Sequence, residues 1–117
     1  MCIRDSLCAA VEQMQNSVRG IDVLCRWGGE EFAVLLPNAT MDAARVIAER
    51  IRENIQRATL PIHSNPLDGY EPFSLTASLG TATCRNVEDS IPAMLQRADE
   101  ALYQAKRAGR NRVLEAA

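Results

Sequence analysis

Two carboxylates stand side by side at Glu30 and Glu31, directly after Gly28 and Gly29. On either side lie runs that read as strands, residues 22–27 and 32–36. Adjacent glycines between β-type runs predict a two-residue hairpin, because glycine tolerates the positive φ that the favoured turns require. Carboxylates at such a turn are exposed, fixed in direction and close to any ligand lying over it. Oxygen donors of this kind suit Mg²⁺, which takes one or two protein carboxylates and shares its other positions with water and substrate phosphates. An ordinary hairpin with solvated glutamates contains the same residues, and the residues alone leave both readings open.

Other charged residues frame this turn. Arg19 and Asp22 sit three apart just before the first strand. As local structure they read as a basic residue at a helix C-terminus and an acid at a strand entrance. As chemistry, an Arg grips a phosphate bidentately and an Asp accepts hydrogen bonds from a base edge. Lys106, Arg107, Arg110 and Arg112 cluster near the end of a helical stretch, where cations complement the helix dipole.

The elements that must position these groups are legible from periodicity. Leu7, Ala10, Val11, Met14 and Val18 form an apolar stripe on a helix over 7–19 that should stop near Gly20. Residues 1–6 have no helical or strand period and read as a non-native end. Strands are expected over 21–27 and 31–37. Thr40 reads as the N-cap of a helix over 41–58, with Ala44, Ile47, Ala48, Ile51 and Ile55 facing the core. Its other face carries Arg45, Glu49, Arg50, Arg52, Glu53 and Arg57, a solvated face with Glu–Arg pairs at helical spacing. Residues 60–72 hold three of the five prolines and read as a loop. Alternation of Phe73, Leu75, Ala77 and Leu79 with Ser74, Thr76 and Ser78 predicts a half-buried strand over 73–83. Ser90 caps a last helix over 91–107, with Pro92 tolerated in its first turn and Ile91, Leu95, Ala98, Leu102 and Ala105 as its buried stripe. Gly109 ends that helix, and a strand follows over 112–115.

Composition narrows the function classes. The 117 residues suffice for one domain with one core. A net charge of −2 argues against a generic nucleic-acid binder, whose domain is normally basic. No apolar run approaches the ~20 residues of a membrane helix, and no basic-then-apolar secretory leader opens the chain. Cys2, Cys8, Cys25 and Cys84 lack metal or disulfide spacing and read as partly buried cytosolic thiols. His63, beside Ser64, Asn65 and Pro66, is given no role.

The 28–32 stretch, Gly-Gly-Glu-Glu-Phe, resembles the signature of the GGDEF domain family, the diguanylate cyclases, in its variant with Glu at the third place. The surroundings match in order. Arg19 and Asp22 fall where the family carries an Arg-x-x-Asp inhibitory site for its product, cyclic di-GMP. The 48–52 run resembles the stretch whose Arg, here Arg50, helps hold that dinucleotide. Thr76, Ser78 and Gly80 resemble the family's Thr-x-Ser-x-Gly strand, where a structural role is the better reading. Residues 98–113 resemble its terminal motif, in which Lys106 and Arg110 contact the nucleotide's terminal phosphates. Cations four residues apart across a helix end can converge on one triphosphate.

The resemblance covers 7–113 and implies a partial GGDEF domain over 7–117. The fold implied is α/β (α+β): an antiparallel-centred, palm-like sheet of the nucleotide-cyclase and polymerase kind, flanked by helices. The family's opening strand and helix, with an Asp metal ligand and guanine-reading residues, are not found before Leu7. The function implied is condensation of two GTP into cyclic di-GMP with release of two pyrophosphates. Glu30 would ligate Mg²⁺ (or Mn²⁺), and Glu30 or Glu31 would help deprotonate the ribose 3′-hydroxyl. Gly28 and Gly29 would let substrate approach the backbone, and a cytoplasmic homodimer would bring two GTP together. By itself this stretch is expected to be catalytically silent. The alternative is a receptor domain that binds cyclic di-GMP without making it.

Overall fold

A computed structural model of the chain describes residues 3–61 and 72–117. The element order is α1 (Ile3–Ser17), β1 (Val23–Gly28), β2 (Glu31–Leu35), α2 (Met41–Arg57), β3 (Thr59–Pro61), β4 (Pro72–Ser74), β5 (Leu79–Thr81), α3 (Ile91–Arg107) and β6 (Val113–Glu115). The strands pair two by two: β1 with β2 antiparallel, β3 with β4 antiparallel, and β5 with β6 parallel. The mixed α+β character expected from the sequence is present.

The core is built on α2. Its Ile47, Ile51 and Ile55 form one buried cluster with Met14 of α1. Ala10 and Val11 close it from the first helix and Val18 from just beyond it, Leu24 and Phe32 from the hairpin with Leu36 just after, and Leu75, Ala77 and Leu79 from the segment leading into β5. Burying each such aliphatic side chain stabilises the fold by about 1.5–3 kcal/mol. One polar group is fully enclosed at this junction. Ser17 donates to the Gln13 carbonyl at 2.6 Å and accepts from the Asn54 amide at 2.9 Å, which pins the end of α1 against α2. Both later helices start on their expected caps: Ala43 N–H donates to Thr40 Oγ1 at 3.1 Å, and Ala93 N–H to Ser90 Oγ at 3.2 Å.

Several boundaries differ from expectation, each for a local reason. The first helix begins at Ile3, so part of the 1–6 stretch continues it; Ile3 stands four before Leu7, and neither Gly nor Pro intervenes. Residues 59–61 and 72–74 pair as short strands inside what reads as loop, and Pro61 opposite Pro72 ends that ladder. His63 lies outside the described residues. The expected 73–83 strand divides into β4 and β5. Alternation predicts which side chains face inward, and Leu75, Ala77 and Leu79 do; a ladder also needs a partner strand, and among the described residues none pairs with 75–78. On α3 the buried positions are Ala101 and Ala105, whereas Ile91 in the first turn is 52% exposed, ahead of the region that meets the β5–β6 pair. Cys8, Cys25 and Cys84 are exposed rather than partly buried; Cys25 lies on the opposite face of β1 from the inward Leu24.

The β5–β6 pair meets α3 at very short range. A Cβ on Gly80 would collide with the Ala98 carbonyl oxygen and the Leu102 amide nitrogen of α3. These are backbone atoms of a helix and cannot swing aside. The same unit is tied by Arg97, whose guanidinium grips the Asp89 carboxylate at 2.6 and 3.1 Å and donates to the Thr83 carbonyl at 2.9 Å. The Asp89 side chain is 5% exposed and also accepts from the Arg85 and Ser90 amides. The Arg97 guanidinium and these amides hold the Asp89 carboxyl far below the ordinary carboxylate range.

Gly80→Ala is expected to destabilise the fold by about 3 kcal/mol, the upper end for forced overpacking, as read by urea unfolding. The Asp89 carboxyl, lowered on folding from an ordinary value of 3.8, contributes stability that is present above that value and lost as pH falls toward the folded one. Asp89→Asn should therefore be less stable at neutral pH and should show a flatter stability profile than wild type below about pH 4, measured by denaturant midpoints across acid pH.

Candidate functional site

The hairpin places the carboxylates. Register runs from Val23↔Leu35 through Arg26↔Phe32 to Gly28↔Glu31, with Trp27 extruded by an irregularity between Arg26 and Gly28. The turn residues are therefore Gly29 and Glu30; Gly28 closes β1 rather than sharing the loop. Gly29 takes φ +38°, the sign this turn needs. Glu30 and Glu31 are both exposed, and the space where a Cβ would stand on Gly28 or Gly29 is open.

Arg26 holds this turn from inside the hairpin. Its Nε and Nη2 both donate to the Gly29 carbonyl, at 3.0 and 2.6 Å. Sequence reasoning missed this residue. The available signal was an Arg three places before the second glycine, on the strand that enters the turn.

Lys106, in the last turn of α3, comes to the hairpin: its Nζ stands 3.9 Å from Glu31 Oε1, with both side chains about half exposed. In solvent such a pair is worth little, so a ligand of higher charge can displace it. Arg110 lies beyond the helix end and, among the described residues, forms no ion pair with the hairpin. It sits in a run of three left-handed residues, Gly109 at φ +123°, Arg110 at +64° and Asn111 at +49°. Gly109 suits that region, and a Cβ there would press on the Arg112 guanidinium. For Arg110 the conformation costs roughly 1–2 kcal/mol, whereas Asn is a residue type that tolerates it. Among the described residues the Arg110 guanidinium has no ion-pair partner.

A second arrangement gathers around Arg19. Its guanidinium meets the Asp22 carboxylate at 2.8, 3.1 and 3.2 Å and donates to the Pro37 carbonyl at 2.9 Å. The Arg19 amide also donates to Asp22 at 2.7 Å, and the Asp22 amide returns a bond to the Arg19 carbonyl at 3.0 Å. The Asp22 side chain is fully buried, and the Arg19 guanidinium keeps its carboxyl below the ordinary range. Asp22 thus turns its oxygens to Arg19 rather than outward. An open surface depression of about 350 Å³ is lined by Arg19, Asp42, Ala43, Val46, Ile47 and Arg50. Arg50 also donates to the Ser17 carbonyl at 3.2 Å, which braces it toward the end of α1. Arg19 and Arg50, 31 positions apart in sequence, therefore share one depression (50 less 19).

The family model described as "Diguanylate cyclase, GGDEF domain" matches residues 5–112. The response regulator PleD of Caulobacter vibrioides is 39% identical over 102 residues, covering 87% of this chain and 22% of that protein. The diguanylate cyclase DgcM of Escherichia coli is 40% identical over 110 residues, 94% of this chain and 24% of the other. The crystal structure of the coiled coil and GGDEF domain of DgcB from Caulobacter crescentus, in complex with c-di-GMP, superposes with a TM-score of 0.82 at 27% identity, over 96% of this chain and 56% of that one. The chain thus spans about a quarter of the length of these two relatives.

Proposed function

The chain belongs to the GGDEF family of diguanylate cyclases, and on that premise we propose that it carries the catalytic hairpin of an enzyme that condenses two GTP into cyclic di-GMP and two pyrophosphates. The observation that supports this most is the glycine at 28. Nothing in the fold asks for it: its φ is not positive and a Cβ would meet no atom within 4 Å. A glycine facing open space beside two exposed carboxylates suits a substrate that lies against the backbone.

In this reading the 3′-hydroxyl of one GTP attacks the α-phosphorus of the other, the bond to pyrophosphate breaks, and the hydroxyl proton passes to a hairpin carboxylate. Glu30 is the proposed metal ligand, with Glu30 or Glu31 as the base. Two neighbouring exposed carboxylates fit the donor chemistry of a hard cation. Among the described residues no third acidic, His or Cys side chain joins them in a metal-binding group, so Mg²⁺ here would share its shell with water and phosphate. When bound, that ion would neutralise charge building on the phosphates. Lys106, released from Glu31, and Arg110 would take the terminal phosphates. Each subunit would hold one GTP, so a homodimer would bring two hairpins face to face.

The depression between Arg19 and Arg50 suits product feedback. Two arginines lining one depression suit a ligand with two phosphates, and Asp22 serves by holding Arg19 in place. The receptor alternative would use this depression alone and leave the hairpin idle.

In the full-length protein, Glu30→Ala should lower cyclic di-GMP synthesis at least about a hundredfold with an unchanged melting temperature, since an exposed turn residue contributes little to packing. Turnover near wild type would overturn the catalytic assignment. Arg19→Ala should weaken cyclic di-GMP binding about tenfold or more by calorimetry while initial rates hold. Unchanged affinity would leave Arg19 as a brace for the 17–22 turn.

A further inference from the structure

The 109–111 loop holds its left-handed conformation against the preference of Arg110, so its supports matter. The Arg110 amide donates to the Ala105 carbonyl at 3.0 Å, across the end of α3. The Asn111 amide donates to Ser78 Oγ at 3.2 Å, which fastens the loop to the entrance of β5. The third support comes from another element altogether. Arg52 of α2 donates from Nη1 to Asn111 Oδ1 at 3.2 Å, a contact across 59 positions.

Arg52 is itself fixed. Glu49 receives its Nε at 2.9 Å, Gln56 accepts from its Nη1 at 3.2 Å, and Glu53 stands 3.8 Å from its Nη2. Its side chain is 18% exposed, far less than the 76% of Arg57 one turn and a half further along. A solvated-face arginine would not be so enclosed. Arg52 therefore carries the rigidity of the α2 core stripe to a strained loop whose side chain, Arg110, is free to meet a ligand.

We propose that Arg52, acting through Asn111, is a positioning residue that holds Arg110 in place for the terminal phosphates of a nucleoside triphosphate. This rests on the reading of Arg110 as a phosphate ligand given above. Arg52 touches no substrate; it fixes the loop conformation from which Arg110 projects. Asn suits position 111 on both counts, since it tolerates the left-handed region and supplies the acceptor that Arg52 needs.

The test is calorimetric titration of the full-length protein with GTP and with GMP, which lacks the terminal phosphates. Arg110→Ala should weaken GTP about tenfold and leave GMP unchanged. Arg52→Met and Asn111→Gly should each show the same GTP-only loss. Asn111→Gly removes the tether while easing the backbone, and Asn111→Asp, which keeps an acceptor for Arg52, should restore wild-type affinity. Arg52→Met in the Arg110→Ala background should add nothing further. If Arg110→Ala alone weakens GTP while Arg52→Met and Asn111→Gly do not, Arg52 is not a positioning residue. Equal losses for GTP and GMP would show only damage to the fold and would overturn the proposal as well. If Arg110→Ala leaves GTP affinity unchanged, the phosphate reading itself fails and the inference falls with it. Should Arg52→Met not fold, the Asn111 pair decides, since neither change replaces a residue of α2.

Discussion

The Ile47, Ile51 and Ile55 stripe of α2 is the contact on which the rest depends. It is the one surface that α1, the hairpin and the segment before β5 all share. Because it is buried along its length, α2 cannot shift without opening every one of those contacts. The helix then offers its remaining faces as rigid mounts. Arg50 leans toward Arg19 and the end of α1, while Arg52, two residues later and 200° around the axis by the ordinary helical pitch of about 100° per residue, reaches the 109–111 loop. Two charged devices at opposite flanks are thus held by a single apolar seam.

The arginines divide by whether the fold satisfies them. Arg97 is closed off by Asp89 and the Thr83 carbonyl, and its work is architectural. Arg19 is half closed: Asp22 and Pro37 fix it, yet its side chain remains 37% exposed and lines a depression. Lys106 has only a long, solvated contact to Glu31, and Arg110 has no ion pair among the described residues. Desolvated pairs hold shape, because breaking one leaves a buried charge, whereas loosely held cations remain available to an anion. The gradient runs from a closed ion pair at Arg97 to an unpaired guanidinium among the described residues at Arg110.

Periodicity and caps made much of this fold legible in the sequence. The stripes on α1 and α2, the Thr40 and Ser90 caps and the hairpin all follow from local rules that involve neighbours within four residues. What escaped depended on partners far along the chain. The break between β4 and β5 reflects which strands find partners, which alternation does not encode. Arg52 read as one more member of a solvated face because its Asn111 acceptor lies 59 residues on. Nor does anything in the sequence say that the Asp22 carboxylate is fully buried against Arg19. The two-residue turn was displaced by one position because the irregularity at Trp27 shifts the register by one.

Glycine separates the two kinds of constraint in this chain. At Gly80 the reason is internal: α3 comes so close that any side chain would strike its backbone. At Gly28 the fold supplies no reason, since the space is open and the backbone does not require it. The same residue type therefore answers to packing at one place and to no contact within the fold at the other. Gly28, which like Gly20 the fold leaves unexplained, lies beside Glu30 and Glu31, on the turn that Arg26 clamps. A turn braced from within and bare on its outer side has the form of a surface shaped for a ligand, because rigidity reduces the entropy lost on binding and bareness removes the steric barrier to it.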